Sequence, residues 1–248
     1  MEKKDLSKNV IFMTYLYIET DGEVFLVEKD GKLTLPEEGF PLPFETRELF
    51  TNKFPEGDVK FCKPIVEEHP TSWIYKDDIP AMDNVEKIVL RAVNYSLVRH
   101  ISSAIIIKDK KVLILKGNRG FAKGKWHVPG GFISYPESPE KSVVRECKEE
   151  LGIDIKVKEL ITTFSEVRKY PGHYYLALSY LCEILPGQKI KLDISENSEL
   201  KWLPLKEAID KVDVPHAKKT FEKLLCRGGS EHLFMGSKTK KLHQKMQQ

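Results

Sequence analysis

The stretch Gly131-Phe-Ile-Ser-Tyr-Pro-Glu137-Ser-Pro-Glu-Lys-Ser-Val-Val-Arg145-Glu146-Cys-Lys-Glu149-Glu150-Leu-Gly152-Ile153 decides how this chain is read. Arg145, Glu146, Glu149 and Glu150 put three carboxylates and a guanidinium on little more than one helical turn. Spacing i, i+3, i+4 predicts that Glu146, Glu149 and Glu150 share one helix face. Like charges so crowded repel, at a cost on the order of tenths of a kcal/mol per exposed pair. A divalent cation offsets that repulsion, and hard carboxylate oxygens suit Mg²⁺ or Mn²⁺ rather than Zn²⁺. A charge run taken alone also describes a solvated acidic helix face.

The surrounding positions separate these readings. Five residues follow Gly131 before Glu137, and seven more precede Arg145-Glu146; then come Cys147, Lys148, Glu149-Glu150, Leu151, Gly152 and Ile153. Seven specified residues at fixed spacing arise by chance about once in 10⁸ starting positions at average residue usage. At every fixed position the segment resembles the Nudix box, and the chain is similar to Nudix hydrolases. The resemblance implies an α/β fold, an α/β/α sandwich around a mixed sheet. It also implies hydrolysis of a nucleoside diphosphate linked to a second group, with Mg²⁺ as cofactor and Mn²⁺ as a substitute.

Carried over by position, the resemblance makes Glu149 and Glu150 metal ligands, with Glu146 a ligand or water-activating base. Gly131 would offer its backbone carbonyl to the metal, where a side chain could obstruct close approach. Arg145 would pair with a helix glutamate and with Glu137, fixing carboxylate rotamers; contact of either with substrate is the alternative. Ser134-Tyr135-Pro136 stands where many relatives carry an acidic residue and a glycine, which implies fewer bound metals here. Relatives often hold their general base outside the box, and Glu166 and Glu199 are the candidates, each also readable as a plain surface glutamate.

The Tyr170-Pro171-Gly172-His173 turn looks like the substrate-selective turn of ADP-ribose pyrophosphatases, except that Ser165-Glu166 replaces a Ser-Pro. ADP-ribose is therefore the first expected substrate, with Tyr170 and His173 contacting it. Nucleoside triphosphates and sugar nucleotides are alternatives, as is a non-catalytic nucleotide sensor. Arg119, Lys123 and Lys125 are placed to meet phosphates, and Trp126 either stacks a base or fills the core.

The rest of the chain sets bounds. With 248 residues, 41% hydrophobic and 31% charged, it has the composition of a globular protein with no membrane-spanning run. A net charge of +3 gives no basic channel, so neither nucleic acid nor cap removal is expected. Cys62, Cys147, Cys182 and Cys226 form no C-x-x-C pair. Zinc is thus not expected, and reduced thiols in the cytoplasm are. The opening Met-Glu-Lys-Lys-Asp lacks an apolar segment after its charges, so no secretion signal is expected. A homodimer is expected by resemblance only.

Domain boundaries are expected at 1–100 for an N-terminal α+β domain, 101–227 for the Nudix domain, and 228–248 for a basic, flexible tail carrying Lys238, Lys240, Lys241 and Lys245. In the second, residues 101–107 and 111–116 read as a hairpin, and Trp126-His127-Val128 as a short strand. The box helix should start at Ser138 (N-cap) with Pro139 next, and stop at Gly152. Its apolar stripe would be Val143, Val144, Cys147 and Leu151. Strands are expected over 155–168, 173–184 and 199–203, and a closing helix over 217–225.

In the first domain, Asp83 should cap a helix through Val85, Ile88, Val89, Ala92, Val93 and Leu97. Ahead of it, Val24-Phe25-Leu26-Val27-Glu28 and Leu33-Thr34-Leu35-Pro36 echo Val112-Leu113-Ile114-Leu115-Lys116 and Trp126-His127-Val128-Pro129. Arg47-Glu48-Leu49 then falls where a box helix would lie, with Thr51 and Asn52 in place of two glutamates. Two readings stand: a shortened, metal-incompetent Nudix-like copy, or an unrelated α+β domain built from similar hairpins.

Overall fold

The structure is a computed structural model that describes residues 13–68, 72–167 and 174–227. These fall into two compact units, one reaching Leu97 and one starting at Val98. The Tyr170 and His173 turn and the basic tail lie outside the described residues.

The first unit comprises β1 (Thr14–Thr20), β2 (Glu23–Val24), β3 (Val27–Lys29), β4 (Lys32–Thr34), β5 (Glu45–Phe54), β6 (Gly57–Ile65), β7 (Ile74–Tyr75) and α1 (Lys87–Ser96). Its main sheet has the order β5-β6-β1-β2-β7, with β1 and β6 parallel. Helix α1 buries Ile88, Val89, Ala92 and Val93 in a cluster with Tyr17, Val24, Val59 and Phe61. This helix begins after Glu86, not at Asp83, and leaves Val85 outside. The cause is backbone pairing: Leu33 donates its N–H to Asn84 and accepts from Glu86, so that stretch is held extended beside β4.

Arg47-Glu48-Leu49 does not form a helix either. It lies on β5, which pairs antiparallel with β6 across a tight turn, Phe54 facing Gly57. Aromatic residues decide the outcome: Phe50 stacks on Phe61 at 4.7 Å, and Phe54 meets Tyr95 edge-on at 5.4 Å.

The second unit runs β8 (Arg99–Lys108), β9 (Lys111–Gly117), β10 (Trp126–His127), β11 (Gly130–Phe132), α2 (Pro139–Leu151), β12 (Ile155–Val167), β13 (Tyr174–Ile184), β14 (Asn197–Pro204), α3 (Leu205–Lys211) and α4 (Pro215–Cys226). The sheet order is β10-β9-β8-β13-β12, with β11 on β8 and β14 on β9. Only β8 and β13 run parallel among these pairs, so the sheet is mixed. One core joins the sheet to α2 through Val143, Cys147 and Leu151, and the other joins it to α3 and α4 through Ala208, Ala217, Phe221 and Leu224. That is the α/β/α sandwich.

Helix α2 has the expected ends. Ser138 Oγ accepts from Lys141 N at 3.3 Å, Pro139 opens the first turn, and Gly152 closes it at φ 65°. Helix α3 was not foreseen, because seven residues, with only Leu205, Ala208 and Ile209 apolar, carry too little periodicity to stand out. Among the described residues no helix is long and apolar enough to cross a membrane.

Candidate functional site

Two short elements, β11 and α2, bring the box together. Pairing of Gly130, Gly131 and Phe132 with Ser103, Ser102 and Ile101 on β8 fixes the glycine strand. Helix α2 packs beside it and presents Arg145. The guanidinium grips Glu137 with two nitrogens, Nε to Oε2 at 3.1 Å and Nη2 to Oε1 at 2.7 Å. Its Nη1 donates to Glu146 at 2.8 Å and to Glu149 at 2.9 Å, and Nη2 also reaches the Phe132 carbonyl at 3.0 Å. One planar fork thus holds three carboxylates and a loop carbonyl, which Lys could not do. Arg145, with help from the Ser134 N–H, holds Glu137 down at about 2.

Glu146 lies against Gly131: a Cβ added there would sit 2.6 Å from its carboxyl carbon and 2.8 Å from Oε2. A side chain at 131 would therefore have to displace the Glu146 carboxylate from its place beside Arg145. Burial raises the pKa of Glu146, with Arg145 opposing. Glu149 is different, half exposed and held at one oxygen by Arg145.

Glu150 corrects the expectation of one shared acidic face. It is 4% exposed and turned inward, where Oε2 accepts from Gly130 N at 2.9 Å and Oε1 from Asn197 Nδ2 at 3.0 Å. Being seven residues beyond Val143, it falls near the apolar stripe of the helix. Asn197 Oδ1 in turn lies 2.9 Å from His127 Nε2, and His127 Nδ1 lies 2.8 Å from the Val128 carbonyl. Burial pushes Glu150 up to about 8, against the help of its two donors, and holds His127 below its usual range.

Proton accounting links these groups. A neutral His127 must carry its hydrogen on Nδ1, facing Val128, which leaves Nε2 an acceptor. The Asn197 amide turned end for end then donates to His127 and accepts from a protonated Glu150, satisfying the same heavy-atom positions. None of Asn197, His127 or this inward role of Glu150 was singled out in the sequence.

Among the described residues, no three His, Cys, Asp or Glu side chains converge as they stand on a point where a metal would sit. The donors nonetheless fit one. Glu146, Glu149 and Gly131 offer hard oxygens suited to Mg²⁺ or Mn²⁺, and a glycine cradle keeps the approach to Glu146 clear.

Other candidates fall elsewhere. Glu166 accepts from Tyr175 OH at 3.0 Å across the β12–β13 pair. Glu199 pairs with Lys116 at 2.9 Å on an exposed strand. Neither bonds to the Arg145 cluster among the described residues. Arg119 is exposed and paired with Glu196. Trp126 is 6% exposed, packs in the core, and lies under Lys201 at 4.8 Å and Lys211 at 5.3 Å. That matches its core reading and leaves little ring surface for a base.

Residues 98–224, just over half of the chain, match the family model of the NUDIX domain. An ADP-ribose pyrophosphatase of Methanocaldococcus jannaschii is 34% identical over 95 residues, covering 38% of this chain and 56% of that protein. Nudix hydrolase 8 of Arabidopsis thaliana is 31% identical over 121 residues, 46% of this chain and 31% of that one. The chain thus spans little more than half, or less, of these relatives. A MutT Nudix hydrolase from Burkholderia pseudomallei aligns in structure with a TM-score of 0.46 and 25% identity, over 52% of this chain and 99% of that one.

Proposed function

The chain belongs to the NUDIX family, and on that premise we propose that its second unit is a hydrolase of phosphoanhydride bonds in nucleoside diphosphate derivatives. The observation that carries this reading is the Arg145 fork, which arranges Glu137, Glu146 and Glu149 beside a glycine on which the Glu146 carboxylate rests. Glu146, Glu149 and the Gly131 carbonyl would hold Mg²⁺, or Mn²⁺ by the same chemistry. Such an ion neutralises pyrophosphate charge and lowers the pKa of bound water.

The chain's own residues do the remaining work. Arg145 and Glu137 fix the carboxylate rotamers, so little rearrangement is needed when substrate arrives. Glu146, lying against Gly131, is either a ligand to that ion or the base that takes a proton from the attacking water. Glu150 anchors α2 to Gly130 in this arrangement, and each of its oxygens, accepting one hydrogen bond, keeps a lone pair that could face a cation. ADP-ribose is the leading substrate, supported by the M. jannaschii relative's name and by the Tyr170 to His173 turn. Nucleoside triphosphates and sugar nucleotides follow. The buried, unpaired thiols of Cys62, Cys147 and Cys182 suit a cytoplasmic setting.

A second reading is a nucleotide sensor: Arg145 offsets part of the carboxylate charge, one guanidinium facing Glu137, Glu146 and Glu149. A panel of ADP-ribose, sugar nucleotides, dinucleotides and triphosphates, assayed with and without Mg²⁺ and with product analysis, separates the two. Mg²⁺-dependent release of AMP and ribose 5-phosphate supports the leading reading. Tight binding with no turnover on any member supports the sensor.

A further inference from the structure

The two units share more than a hairpin echo. The β1–β2 turn pairs Glu19 with Val24 and Thr20 with Glu23, and the β8–β9 turn pairs Ile107 with Val112 and Lys108 with Lys111. Each closes through two residues of positive φ, Asp21 (49°) and Gly22 (82°) in one, Asp109 (48°) and Lys110 (61°) in the other. Parallel pairing sets Ile18 opposite Cys62 on β6, as it sets Ile106 opposite Cys182 on β13. Beside each cysteine the outer strand bulges, after Glu48 on β5 and after Val157 on β12. Each thiol donates to the carbonyl two residues back, Lys60 at 3.6 Å and Tyr180 at 3.5 Å.

The correspondence continues across the sheet. Leu16 N donates to Pro36 O and Ala104 N to Pro129 O, both at 2.8 Å. Tyr15 bridges Glu37 where Ser103 pairs with Gly130. At the far side Val24 pairs with Ile74 and Val112 with Leu203, and a tryptophan precedes each partner, Trp73 and Trp202. A closing helix follows in both, α1 and α4. Similar hairpins alone would not reproduce this register, the bulge beside each cysteine and the parallel crossover together.

We infer that the first unit is a second copy of the Nudix fold from which the catalytic loop and helix have been removed, leaving a non-hydrolytic module. After Pro36 the chain passes through seven turn and loop residues following Glu37 and enters β5 at Glu45; after Pro129 it builds β11 and all of α2 before β12. The sheet face that α2 would cover is filled instead by three rings. Phe25, Phe44 and Trp73 lie 5.3–5.5 Å from one another over Leu16, Ile18 and Cys62. Their counterparts Ala104, Ile106 and Cys182 lie under α2. Glu37 and Glu38 occupy the positions of Gly130 and Gly131, so the glycine cradle is gone, and Glu37 pairs with Lys29 at 2.6 Å.

This inference rests on family membership, not on the proposed activity, and two measurements on the full chain test it. An experimental structure should show β1, β2, β5, β6, β7 and α1 superposing on β8, β9, β12, β13, β14 and α4 with Trp73 over Trp202. A helix within 38–44, or β6 antiparallel to β1, would overturn it. Mn²⁺ counted by electron paramagnetic resonance should fall to none in Glu146→Gln/Glu149→Gln/Glu150→Gln. A site surviving in that variant and mapped to the first unit would refute the loss of its metal site.

A separate observation concerns the second unit. Asn197, 1% exposed, ties Glu150 to His127, while Glu150 ties α2 to Gly130, next to the residue on which Glu146 rests. Its own N–H is held by Asp193 O at 2.9 Å, and Asp193 N by Glu150 O at 2.9 Å. The geometry points to Asn197 as a positioning residue for the metal-binding carboxylates, an inference that depends on the proposed function. Outer partners of this kind typically cost about 10–100-fold in metal affinity when removed. Mn²⁺ titration of Asn197→Ala, and of Asn197→Ser should the first not fold, is expected to show weakening in that range. Wild-type affinity in a folded variant would overturn the role, whereas no Mn²⁺ binding by the wild type would instead overturn the metal-dependent reading.

Discussion

Glu146 rests on Gly131 so closely that a Cβ there would displace its carboxylate, whose carbon lies 2.6 Å from where that Cβ would be. The box glycine is needed for contact with the helix, independent of any positive φ. A Gly131→Ala change must push the Glu146 carboxylate, the far end of a flexible side chain, out of place, at a small loss of stability. Turnover should fall by orders of magnitude with at most that loss of stability. Unchanged kcat/KM in Gly131→Ala would show that the apposition has no catalytic use.

Arg145→Lys probes the fork. An ammonium offers a point charge and cannot match the paired bonds to Glu137 while also reaching Glu146 and Glu149. Activity is expected to drop well beyond any change in melting temperature, because the carboxylates lose their fixed rotamers while the apolar face of α2 is untouched. Comparable loss in Arg145→Lys and in a surface control such as Lys148→Arg would contradict this.

His216 gives a pH test away from the acidic cluster. It is buried, its Nδ1 has no hydrogen-bond partner, and burial, with a smaller contribution from His127, lowers it to about 4. Its folded pKa lies below the unfolded value of 6.5, so the unfolded chain binds the proton more readily between those limits. Stability is therefore intact above pH 6.5 and is lost as pH falls toward 4, by roughly 3 kcal/mol in all. Relative to wild type, His216→Leu should gain stability as pH drops from 7.5 to 4.5, with Glu150 contributing equally to both proteins. A pH-independent difference in denaturant midpoint would refute it.

The box was readable because its constraints are local. Ser138, Pro139 and Gly152 set the helix ends, and Val143, Cys147 and Leu151 set its buried face. Where sequence reasoning erred, a partner distant in the chain decided the outcome. Leu33 delays the start of α1 by pairing with Asn84 and Glu86, and β6 draws Arg47 into a strand. Glu150 leaves its acidic neighbours because Asn197, nearly fifty positions on, and Gly130 offer it hydrogen-bond partners. Helix spacing placed Glu150 with Glu146 and Glu149 but could not show where hydrogen-bond donors would be waiting. In the first unit the hairpin echo was legible, whereas the strand register and the parallel β1–β6 pairing were not.

The central claim is that the acidic turn of α2 exists to hold a cation against a phosphoanhydride. Its most direct test is the Mg²⁺ dependence of hydrolysis for wild type and Glu149→Gln on the best substrate of the panel. The expected result is saturable activation by Mg²⁺ in the wild type, and a folded Glu149→Gln slower by orders of magnitude. Equal rates in the two proteins, or wild-type hydrolysis unaffected by chelation, would contradict it.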